Sequence, residues 1–201
     1  MIATEGTGFD IILVGGDPYA DHPLSGVGII ARALEAHGHK VGVIGRPDWR
    51  GDRDFLKLGR PRLFFGLTSG SMDSLLVNYS PLKRERRKDP RVARSSGIPD
   101  RAVLVYANII RRLFPGSAIV IGGIEASLRR FAHYDYWDDK VRRSLLLDSR
   151  ADILVYGPGE KAAVEIAGRL DRAGDLAGVP GTCVVRRDLP EGFEVLPAHE
   201  E

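Results

Sequence analysis

The chemistry of this sequence is densest in Ile124–Asp148, IEASLRRFAHYDYWDDKVRRSLLLD, where Glu125, Arg129, Arg130, His133, Asp135, Asp138, Asp139, Arg142 and Arg143 crowd around Tyr134, Tyr136 and Trp137. Two chemistries fit these residue types. His133, Asp135 and either Asp138 or Asp139 offer nitrogen and oxygen donors to a metal ion. Four arginines stand beside the same acids, however, and a carboxylate paired with a guanidinium is no longer free to ligate. That balance favours an ion-pair network, with arginines 129, 130, 142 and 143 neutralising the acids and the aromatics packing on a neighbouring surface.

A second set of candidates is glycine-rich. Gly15-Gly16-Asp17, Thr68-Ser69-Gly70-Ser71, Gly122-Gly123-Ile124-Glu125 and Gly157-Pro158-Gly159-Glu160 each follow a short apolar run. Glycine in such turns lets the chain bend sharply or lets a ligand approach the backbone amides. Either reason suffices for any one turn, so four turns together suggest a ligand cleft without naming the ligand. There is no Gly-x-Gly-x-x-Gly after the first run and no phosphate-loop lysine, which removes the main support for a dinucleotide or a triphosphate. His22, in DPYADHPLSG, could serve as the lower ligand of cobalamin if it stood in Asp-x-His-x-x-Gly. Here Asp21 directly precedes it and Gly26 comes one position late. A loop histidine that hydrogen-bonds at a helix start is the expected role.

The elements that must position these groups read clearly. Asp10–Val14, Lys40–Ile44, Leu63–Leu67, Ala118–Ile121 and Ile153–Tyr156 are short and nearly continuous in apolar residues, as strands are when both sheet faces are covered. Val27, Ile30, Ala31 and Leu34 form one helical stripe, closed by Gly38. Val103, Tyr106, Ile110 and Leu113 form another, and Ala163, Ile166, Ala167 and Leu170 a third. Alternation of strand and helix with short turns predicts an α/β fold, a doubly wound and mostly parallel five-stranded sheet, with a further short edge strand near Thr182–Arg186. In such sheets ligands bind outside the carboxyl ends of the strands.

One segment breaks the pattern. Tyr79–Pro99 has no helical or strand period and carries Lys83, Arg84, Arg86, Arg87, Lys88, Arg91 and Arg94 against Glu85 and Asp89, so it reads as an inserted basic loop. Phosphate contact through this run is conceivable, yet it lacks interleaved aromatics for base stacking, and a solvated loop is favoured over nucleic-acid binding. The whole chain, at 201 residues with a formal charge of +2, suits one domain and names no partner by charge. Residues 1–190 form the expected domain and 191–201 a linker or the start of something further. No apolar run spans a bilayer, no signal peptide is evident, and the one cysteine excludes an internal disulfide, so the expected location is the cytoplasm.

The strings YADHPLSGVGIIARALEAHGHKVGVI, RLFFGLTSGSMDSLL, GIPDRAVLVYANIIRR and IVIGGIEASLRRFAHYDYWDDKVRRSLLLDSRADILVYGPGEKAAVEIA occur in that order around the basic segment. Together they resemble the N-terminal domain of the YgiQ-type radical SAM proteins, from about Asp10 to about Arg186, with GGIEASLRR followed by HYDYW the most specific part. The resemblance implies coupling to a radical SAM barrel, in cis or in trans. In that barrel a Cys-x-x-x-Cys-x-x-Cys loop holds a 4Fe-4S cluster whose open iron binds S-adenosylmethionine. This chain lacks the motif. Cys183 stands alone in GTCVV and reads as a small strand hydrophobe, so no catalytic residue is expected here.

The family's front domain is similar to cobalamin-binding domains (a flavodoxin-like fold), which would set Ser69, Gly122 and Gly123 along the nucleotide tail. The departure at His22 removes the lower ligand, although base-off cobalamin needs none. Two readings follow from the resemblance. In the first, the chain is an accessory domain of a radical SAM enzyme, with Asp17, His22, Glu125, Arg129, Arg130, His133, Asp135 and Trp137 facing the barrel or its substrate. In the second, it is a free-standing cobalamin- or nucleotide-binding module in which Ser69, Gly122, Gly123 and Gly159 meet the ligand.

Overall fold

The computed structural model describes residues 3–86, 97–188, 191–192 and 194–195. Arg87, Lys88, Arg91 and Arg94 of the basic loop, and residues 193 and 196–201 of the expected linker, lie outside them. The main sheet contains β1 (Ile11–Gly15), β2 (Val41–Gly45), β3 (Phe64–Thr68), β4 (Ala118–Ile121), β7 (Ile153–Val155) and β8 (Thr182–Cys183), in the spatial order β2-β1-β3-β4-β7-β8. Five strands are parallel and β8 runs antiparallel to β7. The sheet is therefore six-stranded rather than five-stranded. The edge strand expected near 182–186 joins it, but only two residues long.

Strict alternation along each strand builds a core on both faces. Ile12, Val14, Phe65, Leu67, Ile119 and Ile121 point to one side, where α4 (Ala102–Leu113) covers them. Ile11, Leu13, Phe64, Val120 and Ile153 point to the other, against α1 (Gly26–Ala36) and α7 (Glu160–Asp171). Helix α1 starts where the Ser25 hydroxyl accepts from the Gly28 amide at 3.2 Å, and it stops where Gly38 takes φ of +86° and donates to the Glu35 carbonyl.

With β1 flanked by β2 and β3, strand order reverses between β1 and β3, and the turns following these strands gather at one edge of the sheet. Four short helices, α2 (Arg53–Leu56), α3 (Ser74–Asn78), α5 (Gly123–Leu128) and α6 (Leu145–Ser149), were not foreseen from periodicity. Nor was a separate antiparallel hairpin of β5 (His133–Asp135) and β6 (Lys140–Arg142), which pairs His133 with Arg142 and Asp135 with Lys140. The described part of the basic loop folds tightly on itself, with a bridge between Tyr79 and Glu85. No helix among the described residues is long and apolar enough to cross a membrane.

Candidate functional site

The carboxyl edge of the sheet holds two unlike regions. At the β1–β3 reversal the turns close on each other. The Gly16 amide donates to the Thr68 carbonyl at 3.2 Å, and a Cβ on Gly16 would collide with the Ser69 carbonyl oxygen and with Ile98. Asp17 turns its carboxylate across the gap and accepts from the Ser71 amide at 2.6 Å. Gly70, at φ of +100°, has room for no Cβ because that atom would lie 2.6 Å from the Asp17 carboxyl carbon. From the β2 side, the Arg46 Nε donates to the Gly16 carbonyl at 3.2 Å.

The residues assigned from the resemblance to a ligand fall around this joint. Ser69 is buried and donates its hydroxyl to the Met72 carbonyl at 3.0 Å. The Gly122 amide donates to the Leu67 carbonyl at 2.9 Å, and Gly123, at φ of +81°, lies so close to Thr68 that any side chain would strike its hydroxyl. Gly159 stands apart at the start of α7, where a Cβ would sit 3.3 Å from Val155 and 3.4 Å from Ile30. His22 is exposed, and its Nδ1 accepts from the Leu24 amide at 3.1 Å in the turn just before α1.

The second region is built by the stretch between β4 and β7. Asp135 is 6% exposed and is the hub. Its Oδ2 accepts from Arg101 and from Arg142, each at 2.6 Å, while its Oδ1 accepts from the Trp137 and Asp138 amides. Arg142 and Arg101 also pair with Asp138. Burial alone would raise the Asp135 pKa, but the hydrogen bonds from Arg101 and the Asp138 amide, with the charges around them, hold it at about 2. Of the carboxylates that could have ligated a metal, Asp135 and Asp138 are thus taken by guanidinium groups, Asp139 accepts from the Tyr134 hydroxyl, and His133 turns its Nδ1 to the Phe131 carbonyl at 3.1 Å.

Arg142 keeps the partners expected of it, while the other three arginines turn elsewhere. Arg129 pairs with Asp73, which also caps α3 by accepting from the Leu75 amide at 2.9 Å. Arg130 donates to the Ser127 carbonyl at 2.7 Å and lies over the Phe131 and Tyr156 rings. Arg143 pairs with Asp148 at 2.8 Å. Arg101, which spacing did not flag, supplies the clamp from a left-handed turn at the head of α4. The clue was its place just before an apolar helical run in GIPDRAVLVYANIIRR.

Glu125, 1% exposed, lies beneath the hairpin. Its Oε2 accepts from the Ser74 hydroxyl at 2.8 Å, and that hydroxyl in turn accepts from the Ala102 amide at 3.1 Å, which ties α3, α4 and α5 together. Its Oε1 has no hydrogen-bond partner among the described residues. Glu125 lines a cavity of about 20 Å³ with Arg101, Leu104, Arg129, His133 and Arg142, large enough for one water molecule. Burial pushes the Glu125 carboxyl up, against the opposing pull of Ser74 and Arg129.

What this scaffold presents outward is aromatic. Phe131, Tyr134 and Tyr136 are 59%, 60% and 48% exposed, and Ile124 and Leu128 on α5 are exposed with them. The Trp137 ring is turned in against Tyr79 and Tyr136, and its Nε1 is buried without a partner among the described residues. From the basic loop Lys83 donates to the Trp137 carbonyl at 3.2 Å and stands 4.6 Å over the Tyr136 ring. Clustered exposed aromatics, fixed by a charged scaffold, are the chemistry of a contact surface.

Comparison with known proteins gives the family and the fold. The profile described as radical SAM N-terminal matches residues 1–201. A UPF0313 protein of Thermotoga petrophila is 52% identical over 197 residues, which are 96% of this chain and 35% of that protein. UPF0313 protein GSU2873 of Geobacter sulfurreducens is 49% identical over 201 residues, 96% of this chain and 33% of that one. The chain spans about a third of the length of these relatives. Among solved structures, the radical S-adenosylmethionine methyltransferase TsrM from Kitasatospora setae, with cobalamin and a [4Fe-4S] cluster bound, matches 88% of this chain and 29% of its own. At a TM-score of 0.59 and 24% identity, that match shows a shared fold.

Proposed function

The chain belongs to the radical SAM N-terminal family, and on that premise we propose that it is the accessory domain of a radical SAM enzyme, turning its hairpin face to the barrel and helping to close the barrel's active site. One observation carries this reading: Tyr134 and Tyr136 stay exposed on a hairpin that is itself clamped by Arg101, Asp135 and Arg142, with Phe131 exposed just before it. A surface loop with no partner has no need of such a clamp. The relatives' greater length leaves room for such a partner.

The residues named from the sequence divide under this reading. Glu125, Arg129 and Asp135 are positioning residues beneath the surface, Trp137 stiffens it from within, and Arg130 lies at its border. The 4Fe-4S cluster, when bound, supplies the electron that cleaves S-adenosylmethionine. Its thiolates belong to the barrel, because Cys183 is this chain's one cysteine and sits half-buried on β8 with its thiol pushed up by burial.

The test is made in a polypeptide carrying both this chain and the barrel. Hydrogen exchange at residues 131–142 should be slower there than in the chain alone, and Phe131→Ser with Tyr136→Ser should remove the difference. Equal exchange in both proteins, with cleavage of S-adenosylmethionine unmoved by the double substitution, would sink the reading.

A further inference from the structure

We propose that the β1–β3 reversal of this domain is a sealed joint that admits no corrinoid, flavin or nucleotide, because the chain's own Asp17 occupies the gap through which such a ligand would enter. In a sheet of this order the ligand position lies outside the carboxyl ends of β1 and β3. Entry there needs a gap between the two turns, and unpaired backbone amides to receive the ligand's polar groups. Both are consumed.

The gap closes where Gly16 lies against the Ser69 carbonyl and the Asp17 carboxylate lies against Gly70. The donors are also taken. The Gly16 amide goes to the Thr68 carbonyl, the Gly70 amide to the Thr68 hydroxyl at 3.2 Å, and the Ser71 amide to Asp17. Asp17 adds a negative charge where the phosphate of a cofactor would have to sit, so it opposes that group electrostatically as well as by volume.

The residues that a corrinoid's nucleotide tail would line up with therefore do not fit it. Ser69 is buried with its hydroxyl committed to Met72, the Gly122 amide is committed to the Leu67 carbonyl, and Gly123 stands against the Thr68 hydroxyl. The structural likeness to a cobalamin-holding methyltransferase then extends to the frame of the sheet and stops short of its ligand. This inference does not rest on the docking proposal, and either can fail without the other.

The experiment mixes the chain, at micromolar concentration, with hydroxocobalamin, FMN or AMP in turn. It follows co-elution in gel filtration by absorbance and binding heat by calorimetry. No co-elution and no heat beyond dilution is the expected result for all three, and one-to-one binding of any of them overturns the proposal. A second measurement needs no ligand. Amide exchange at Ser71 should be slow in the unaltered chain and rise roughly tenfold in Asp17→Ala. Free exchange at Ser71 in the unaltered chain would mean the joint is open, and the proposal fails on that alone.

Discussion

The two regions of the carboxyl edge are closed by different means, and the difference sorts their roles. At the β1–β3 joint the two turns meet directly: Gly16 is pressed on the Ser69 carbonyl, and the Asp17 carboxylate lies across the gap on Gly70. On the β4–β7 side the inserted hairpin is tied to the head of α4 by charged side chains gathered on Asp135, and Tyr134 and Tyr136 are left exposed. Direct contact closes an edge. A clamp of long side chains instead fixes a surface that stays exposed, which is what a partner can use.

The largest effect should come from breaking the clamp. Asp135→Ala takes the buried carboxylate from Arg101 and Arg142 and leaves them only the more exposed Asp138, at a cost of about 3 kcal/mol. Urea unfolding measures the loss, and hydrogen exchange at residues 133–142 should rise with it. A cost near that of an exposed ion pair, below about 1 kcal/mol, would erase the contrast between the regions.

Next is the joint itself. Gly16→Ala forces a methyl into the Ser69 carbonyl and Ile98, and overpacking of this kind costs about 1–3 kcal/mol. The same denaturation series tests it, and an unchanged midpoint would show a looser joint than described.

A third effect, of about 2 kcal/mol, makes the clamp depend on pH. The Asp135 carboxyl is held at about 2 against an ordinary 3.8, so the folded state prefers its charged form. Its contribution is complete above about pH 4 and disappears as pH falls toward 2. Asp135→Asn should flatten this acid limb of a stability-against-pH curve, and an unchanged limb would mean that the two guanidinium groups do not hold Asp135 charged.

Much of the frame was legible in the sequence, because continuous apolar strands and single helical stripes are local patterns. The five parallel strands and helices α1, α4 and α7 follow from them directly. The hairpin did not, for a physical reason: its strands are three residues each, and the inward residue, Asp135, is charged, so no apolar alternation marks it. The ion-pair network was legible as chemistry but not as a pairing. Arg101 reaches Asp135 from 34 positions away and Arg129 reaches Asp73 across 56, distances that only the fold can close. The turn glycines were legible as turns, yet whether they cradle a ligand or a neighbouring strand depends on what Asp17 does 54 residues from Ser71.

Within the hairpin region itself, Glu125 should behave opposite to Asp135, and by the smallest margin of the four. Burial raises its carboxyl above the ordinary 4.5, so the folded state holds that proton more tightly than the unfolded chain does. The sign is therefore reversed: the contribution of Glu125 is fullest at low pH and declines as pH rises from about 4.5 toward its folded value. Glu125→Gln keeps an acceptor for the Ser74 hydroxyl and turns an amide toward the small cavity, while removing the titration. Stability of the variant relative to the unaltered chain should thus improve between pH 4 and pH 8, read by urea unfolding at the two values. Parallel curves would mean that a cation holds Glu125 charged as firmly as Arg101 holds Asp135, and the hairpin would then rest on two clamps where the geometry supports one.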